Sequence, residues 1–474
     1  MEAVVGWLNS WIWSNGLVAL CLLAGLYFSL ATRFLQLRHF SRMIKLLFES
    51  DSSARGVSSF QALALSISGR VGTGNIAGVA TAIAFGGPGA IFWMWVIAFL
   101  GAGTAFVESA LAQLYKIEQD GEYRGGPAYF IEAALGWKTY AAVFAVATII
   151  ATGFLLPGVQ ANSIAASFEQ AFDISPNITG LGLVILLGLI IFGGVKRISK
   201  VAEFLVPFMA AAYIIVALII LVMHIAEIPA VISLIVRSAF AMDATFGGMI
   251  GMAIQWGVKR GIYSNEAGQG TGPHAAAAAE VSHPAKQGLV QSFSVYIDTL
   301  FVCTATALMI LVSDTYNVIA ADGSKIVDKL GEVPVGPVFT QTAIDSNFAG
   351  FGDPFVATSL LFFAFTTLMA YYYIAETNVA YLSRKFNSKL LILALRLLLL
   401  FSVFYGSVKT AGLAWALGDL GTGIMAWLNL IVLFVLRKPA INLLKDFENQ
   451  LKQGKNPKLN GKDYPDLKDQ SVWR

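Results

Sequence analysis

The chain has 474 residues, 57% hydrophobic and only 13% charged, with a formal net charge of +3. A soluble globular protein carries roughly 25% charged residues, so an ordinary soluble domain is excluded. Recurring apolar runs predict an all-α polytopic membrane protein instead. The two cysteines, Cys21 and Cys303, lie inside apolar runs and supply neither a disulfide framework nor a metal set.

Apolar spans read at Trp13–Thr32, Val57–Phe85, Pro88–Leu114, Thr139–Ser167, Ile178–Val195, Val201–His224, Ala244–Ile262, Leu289–Ser313, Pro354–Ala375, Leu390–Val408 and Ala411–Leu436, eleven in all. The N-terminal stretch lacks the basic start of a cleavable signal, so the first span is expected to be retained. Lys and Arg crowd alternate loops: Arg33, Arg38, Arg42, Lys45 and Arg55 in the first, Lys116, Arg124 and Lys138 in the third. The later ones are Lys196, Arg197 and Lys200, then Lys259, Arg260 and Lys286, then Arg384, Lys385 and Lys389. The positive-inside rule places the N-terminus outside and the C-terminus in the cytoplasm of a bacterial-type plasma membrane.

Leu37–Glu49 is amphipathic and basic and is expected to lie on the cytoplasmic membrane surface. Ile228–Phe240 reads as a short outer capping helix, and Glu448–Arg474 as a largely disordered tail. The chain then divides into an N-terminal helix (1–35), a surface helix (36–56), five helices (57–225), a cap (226–243), five more helices (244–437) and a tail (438–474).

The second span is interrupted. Ser66–Gly78 reads SISGRVGTGNIAG, with three glycines, an arginine and an asparagine at mid-span. Glycine weakens the helical ladder, and irregular backbone at membrane depth is tolerated only where it lines a cavity. The second half-helix would offer free N–H groups at Thr73, Gly74 and Asn75, which suit a carboxylate. The first would offer carbonyls from Ser68 to Val71, which suit Na⁺, as does the Asn75 oxygen. The bland alternative is that Gly74 and Gly78 form a helix-packing contact.

In span nine, Phe363, Thr366 and Thr367 could complete a sodium shell, although membrane threonines usually bond their own helix. Gln160 of span four either lines the site or joins helices. Glu108 and Asp298 are intramembrane carboxylates with three open roles: proton coupling, pairing with Arg70, or helix fixing. Glu376 is expected to pair with Arg384 or another basic residue. Span seven, FGGMIGMAIQWGVKRGI, is again dense in glycine. Interrupted segments opening both five-helix sets point to an inverted-repeat transporter. His274 and His283 read as part of a cytoplasmic loop holding a short alanine helix. No phosphate loop, nucleophile triad or metal-ligand spacing is present, so neither catalysis nor a cofactor is expected, and nothing suggests nucleic acid.

Together, GTGNIAGVATAIAFGGPGAIFWMW, SNEAG at Ser264–Gly268, HAAAAAEVSHPAKQGLVQ and the IDT of Ile297–Thr299 resemble the sodium:alanine symporter family, the alanine-or-glycine:cation symporters. The resemblance implies a LeuT-type fold, two inverted five-helix repeats behind one extra N-terminal helix. It implies Na⁺-coupled uptake of a small neutral amino acid, alanine or glycine. It places the substrate carboxylate at Thr73 and Gly74, Asn75 at the substrate or an adjacent sodium, and a second sodium among Ser68, Val71, Phe363, Thr366 and Thr367. It draws ammonium ligands from Gly251, Gln255 and Gly257. Tyr371 stands where the family tends to carry tryptophan, which bears on pocket size. A proton-coupled transporter and a non-transporting amino-acid sensor remain the alternatives.

Overall fold

The computed structural model of the chain describes residues 2–49, 56–243, 245–384, 388–464, 467 and 472–473, with the backbone alone at 194–196 and 463. Arg55, Ala244 and Lys385, assigned above to loops or a span end, lie outside the described residues.

A backbone in lipid must satisfy its own N–H and C=O groups, which drives long apolar runs into helix. Among the described residues seven helices are long and apolar enough to cross a bilayer: Gly89–Leu114, Lys138–Phe172, Arg197–Met223, Pro284–Val312, Gly352–Leu382, Lys389–Ser407 and Ala411–Val435. Glu2–Ile12 and Asn15–Ala31, bent by 44°, make an eighth if taken as one span. The chain is therefore a mostly helical, multi-pass membrane protein. The other predicted runs fall on shorter or broken helices. Pro176–Ile191 and Ile250–Asn265 have 16 residues each, and the run from Val57 is split. Length alone does not reach eleven spans.

The helix Gly89–Leu114 is the hub. It packs on Ile250–Asn265, Pro284–Val295 and Asn15–Ala31, and its small residues let the backbones approach. A Cβ at Gly103 would lie 3.2 Å from the Ser29 nitrogen. Large apolar side chains that remain exposed, such as Phe204, Phe208, Leu218 and Val222, form the lipid-facing surface.

The capping helix is present as Ile228–Ala239, opened by Pro229 and packed on the hub. The polar loop after it in chain order, beyond Asp314, contains a hairpin of Asn317–Ile319 with Lys325–Asp328, then the helix Val338–Asp345.

Part of the stretch expected to be disordered, Glu448–Arg474, is ordered among the described residues. Arg437–Lys452 is a helix that buries Leu443, Leu444 and Phe447. Beyond it, Leu459 N–H donates to the Ser282 carbonyl at 2.9 Å, and Trp473 Nε1 donates to the Gln113 carbonyl at 2.8 Å. The apolar stripe of this helix lies before Glu448, and the helix runs into the stretch expected to be disordered as far as Lys452.

His283 joins this tail to the helical body through a 3.0 Å contact with Asp446. Burial lowers the His283 pKa below the ordinary 6.5, against the opposing pull of Asp446. The unburied imidazole binds its proton more readily, so burial of His283 is favoured above about pH 6.5 and opposed as pH falls, while Asp446, which favours the charged form, only partly offsets that loss. Amide exchange across Arg437–Lys452 should therefore rise, relative to intrinsic rates, between pH 7.5 and 5.5. The His283→Gln variant should lose part of that pH dependence, the remainder coming from His39, which holds Glu448 of the same helix at 3.0 Å and is also lowered by burial. Unchanged protection in the native chain would refute the latch.

Candidate functional site

The first interruption lies where the glycines predict it. Ser59–Arg70 starts with a capping box from Ser58 and Gln61 and stops at Val71, whose backbone is extended (φ −77°, ψ 92°). Helix resumes as a π-helical turn, Gly74–Gly78, and continues as Val79–Gly86. π-turns are frequent at functional positions. Ser66 to Gly78 is buried throughout and does not face lipid.

Side chains satisfy the donors freed here. Asn75 Oδ1 accepts from Gly72 N–H at 2.8 Å, and Gln160 Oε1 accepts from Thr73 N–H at 3.0 Å. Gly72 is required by a close approach, since a Cβ there would overlap Thr367 Oγ1 and lie 2.9 Å from Gln160 Oε1. The break thus gathers Gly72, Gln160 and Thr367 from three elements. Tyr371 brings its hydroxyl to Gln160.

A second interrupted helix faces the first. Ile250–Asn265 ends at Glu266, in the left-handed region at φ 56°. Gly268 and Gly270 follow at φ 83° and 88°, and helix resumes at Gly272–Ala278 with a proline in its first turn. Both glycines are also confined, Gly268 by Leu430 and Gly270 by Phe144. The two interrupted helices meet at Gly74, where a Cβ would come within 3.2 Å of the Ser264 backbone.

Asp298 bridges them. Its Oδ1 accepts from Asn75 Nδ2 at 2.6 Å and Ser264 Oγ at 3.0 Å, and its Oδ2 accepts from Thr299 Oγ1 at 2.6 Å. It sits on another π-helical stretch, Tyr296–Cys303. Glu108 accepts from Gly268 N–H at 3.2 Å and Asn429 Nδ2 at 2.9 Å, holding the second break against Ala411–Val435. Glu266 turns its carboxylate to Gly69. Arg70 is the cation among these three carboxylates. Its Nη1 donates to the Gln291 carbonyl and to Ser294, while Nε and Nη2 have no hydrogen-bond partner among the described residues.

The residues named from sequence divide into two groups. Thr73, Gly74, Asn75, Gln160, Thr367 and Tyr371 come together at the first break. Ser68 donates to Leu65 O at 2.7 Å, and Thr366 and Thr367 donate to Phe363 O at 2.9 and 3.0 Å. Gly251, Gln255 and Gly257 do not reach the site. They occupy the unbroken helix before Asn265, where Gly251 meets open space, Gln255 donates to Trp13 O and Gly257 is pressed on Ala90 and Trp93. Gly257 and Gly261 of this run serve packing against the hub, and the break falls later, in the segment read above as a loop. The signal was present in EAGQGTGP, a cluster of glycines ended by a helix-starting proline. His274 is likewise buried, with Nδ1 at Thr271 O and Nε2 at Asn378.

Two polar clusters close the site from opposite ends. On the tail side Arg124 lies 3.8 Å from Glu376, and Arg384 pairs with Glu132; the basic partner of Glu376 is thus Arg124 rather than Arg384. On the other side Arg260 binds Asp419 through two bonds of 2.8 and 3.0 Å, and Lys259 reaches Asp419 at 2.7 Å. Trp415 covers the Arg260 guanidinium at 4.3 Å. Lys259 and Arg260 are thus not loop charges. They lie inside a helix, where Asp419 offsets them. Thr73, Asn75, Ser264, Asp298, Thr366 and Thr367 are all fully buried.

Two discontinuous helices meeting around buried polar groups, in a multi-pass helical body, define a membrane carrier. The sodium:alanine symporter family matches residues 1–461, and the chain belongs to that family. It is 65% identical over 457 residues to YrbD of Bacillus subtilis, covering 96% of this chain and 94% of that protein, which is provisionally named a sodium/proton-dependent alanine carrier. It is 54% identical over 432 residues to the sodium/proton-dependent alanine carrier protein of Bacillus sp. PS3, covering 91% and 97%. It is 43% identical over 459 residues to GlnT of Bacillus subtilis, covering 96% and 93%, which is provisionally named a sodium/glutamine symporter.

Proposed function

We propose that the protein takes up a small neutral amino acid, alanine first and glycine next, together with Na⁺ by alternating access. The observation that carries this reading is the buried junction of Gly74 with Ser264, where two interrupted helices bring their half-helix ends together. The amide end from Thr73 to Asn75 suits the substrate carboxylate, which would take over the Thr73 N–H that Gln160 caps here, and the carbonyl end near Ser264 suits its ammonium group. Ser68 and Val71 carbonyls, with Phe363 O and the hydroxyls of Thr366 and Thr367, supply the hard oxygens a sodium ion takes. Asp298 places a buried carboxylate beside Asn75, a charge that a cation offsets.

On this reading the helices form two LeuT-type five-helix repeats behind one extra N-terminal helix, eleven spans in all. The N-terminus is outside and the tail cytoplasmic, in keeping with Arg33, Arg38, Arg42, Lys45 and the tail lysines on one face. Each charge moved inward along the membrane potential contributes about 2.3 kcal/mol per 100 mV. A relative named for glutamine and two named for alanine share the family, so the side-chain pocket sets selectivity. Here Tyr371 against Gln160 narrows it.

A second reading adds a proton. Three buried carboxylates, Glu108, Glu266 and Asp298, surround one arginine, and two relatives carry sodium/proton in their names. Labelled alanine uptake into proteoliposomes separates the cases. The expected result is uptake driven by an inward Na⁺ gradient and competed by glycine more than by glutamine. Uptake driven by a pH gradient without Na⁺ would replace sodium coupling by proton coupling. Binding without flux would make the protein a sensor.

A further inference from the structure

The segment after the first long helix carries three stripes. Leu35–Arg38 and Phe40–Leu47 form a kinked helix that follows Asn15–Ala31 directly, at the membrane boundary. Leu35, Met43 and Leu46 are buried against the body. Leu37, Phe40, Ile44 and Phe48 form a second, exposed apolar stripe, with Leu37 63% and Phe48 77% exposed. Arg38, Arg42 and Lys45 form a third stripe beside it, at helical spacing.

The basic stripe borders a groove of about 420 Å³ whose other wall is the end of Arg437–Lys452, with Glu448 and Lys452. Glu448 is already engaged by Arg33 at 2.9 Å, Arg38 at 2.7 Å and His39 at 3.0 Å. Its charge is more than offset, and Arg42, Lys45 and Lys452 face the groove beyond it. A cationic cleft beside an exposed apolar stripe, at the end of a lipid-facing helix, presents phosphate-binding donors and an acyl-chain surface together.

We propose that this groove binds the headgroup of an anionic phospholipid, with Arg42, Lys45 and Lys452 on the phosphodiester and the acyl chains along Phe40, Ile44 and Phe48. The site is independent of the transport reading and joins the surface helix to the tail helix through one lipid. Native mass spectrometry of the full chain in detergent, titrated with phosphatidylglycerol or phosphatidylcholine, tests it. The wild type should retain phosphatidylglycerol preferentially, and Arg42→Gln with Lys45→Gln should weaken that retention about tenfold. Lys325→Gln, on the distant hairpin, should leave it unchanged. Equal retention by the double variant overturns the proposal. Displacement of the lipid by equimolar inorganic phosphate also overturns it, since the site would then be one for soluble phosphate.

Discussion

Replacing Asn75 by alanine should lower Na⁺-driven alanine uptake at least about thirtyfold while the protein still inserts and folds. Asn75 is the one side chain that caps the first break and also reaches Asp298. Its removal leaves Gly72 N–H without its 2.8 Å acceptor and takes one donor from the Asp298 carboxylate. An unsatisfied buried polar group costs about 1–3 kcal/mol, and about 2 kcal/mol already corresponds to thirtyfold in an equilibrium constant. Asn162→Ala is the control. It lies on the same helix as Gln160 but bonds the carbonyls of Gly406 and Lys409, so its loss should leave the Na⁺ dependence intact. An unchanged Na⁺ dependence in Asn75→Ala would refute the site.

Asp419→Ala should be the most destabilising single change. It strands Lys259 and Arg260, whose side chains are 12% and 2% exposed, without their shared carboxylate. Breaking a buried ion pair by removing one partner costs about 3–5 kcal/mol, here with two cations left behind. The expected reading is loss of the monodisperse folded species in detergent at temperatures the wild type tolerates. Replacing all three by apolar residues, Lys259→Met, Arg260→Met and Asp419→Leu, should restore most of it, because no buried charge is left uncompensated. A stable Asp419→Ala protein would show that water or lipid headgroups solvate the pair.

The first break was legible because three glycines, an arginine and an asparagine cannot be reconciled with a lipid-facing helix. The second break was misplaced because glycine marks both close packing and left-handed backbone. In Gly251 and Gly257 no positive φ is needed, while Gly268 and Gly270 need one. The positive-inside reading also counted Lys259 and Arg260, near the end of the seventh span, among the charges of the loop beside it. Only the fold reveals that Asp419, far along the chain, holds those charges inside. Asp298 was visible as an intramembrane carboxylate, but its bridging of Asn75 and Ser264 depends on three helices that local pattern does not align. The tail misled for the opposite reason, since abundant lysine outweighed the few apolar residues that dock it.

One small backbone contact has a wider reach. Val57, just before the helix Ser59–Arg70, pairs in parallel with Ala279, just after Gly272–Ala278; Val57 N–H donates to Ala278 O at 3.0 Å, and Glu280 N–H donates to Val57 O at 2.8 Å. Each of these short helices is joined to the rest of its span only through unwound residues. Clipped together at their far ends, they are held to one another by main chain as well as by the side chains between them, so displacing either one alone would break those two hydrogen bonds.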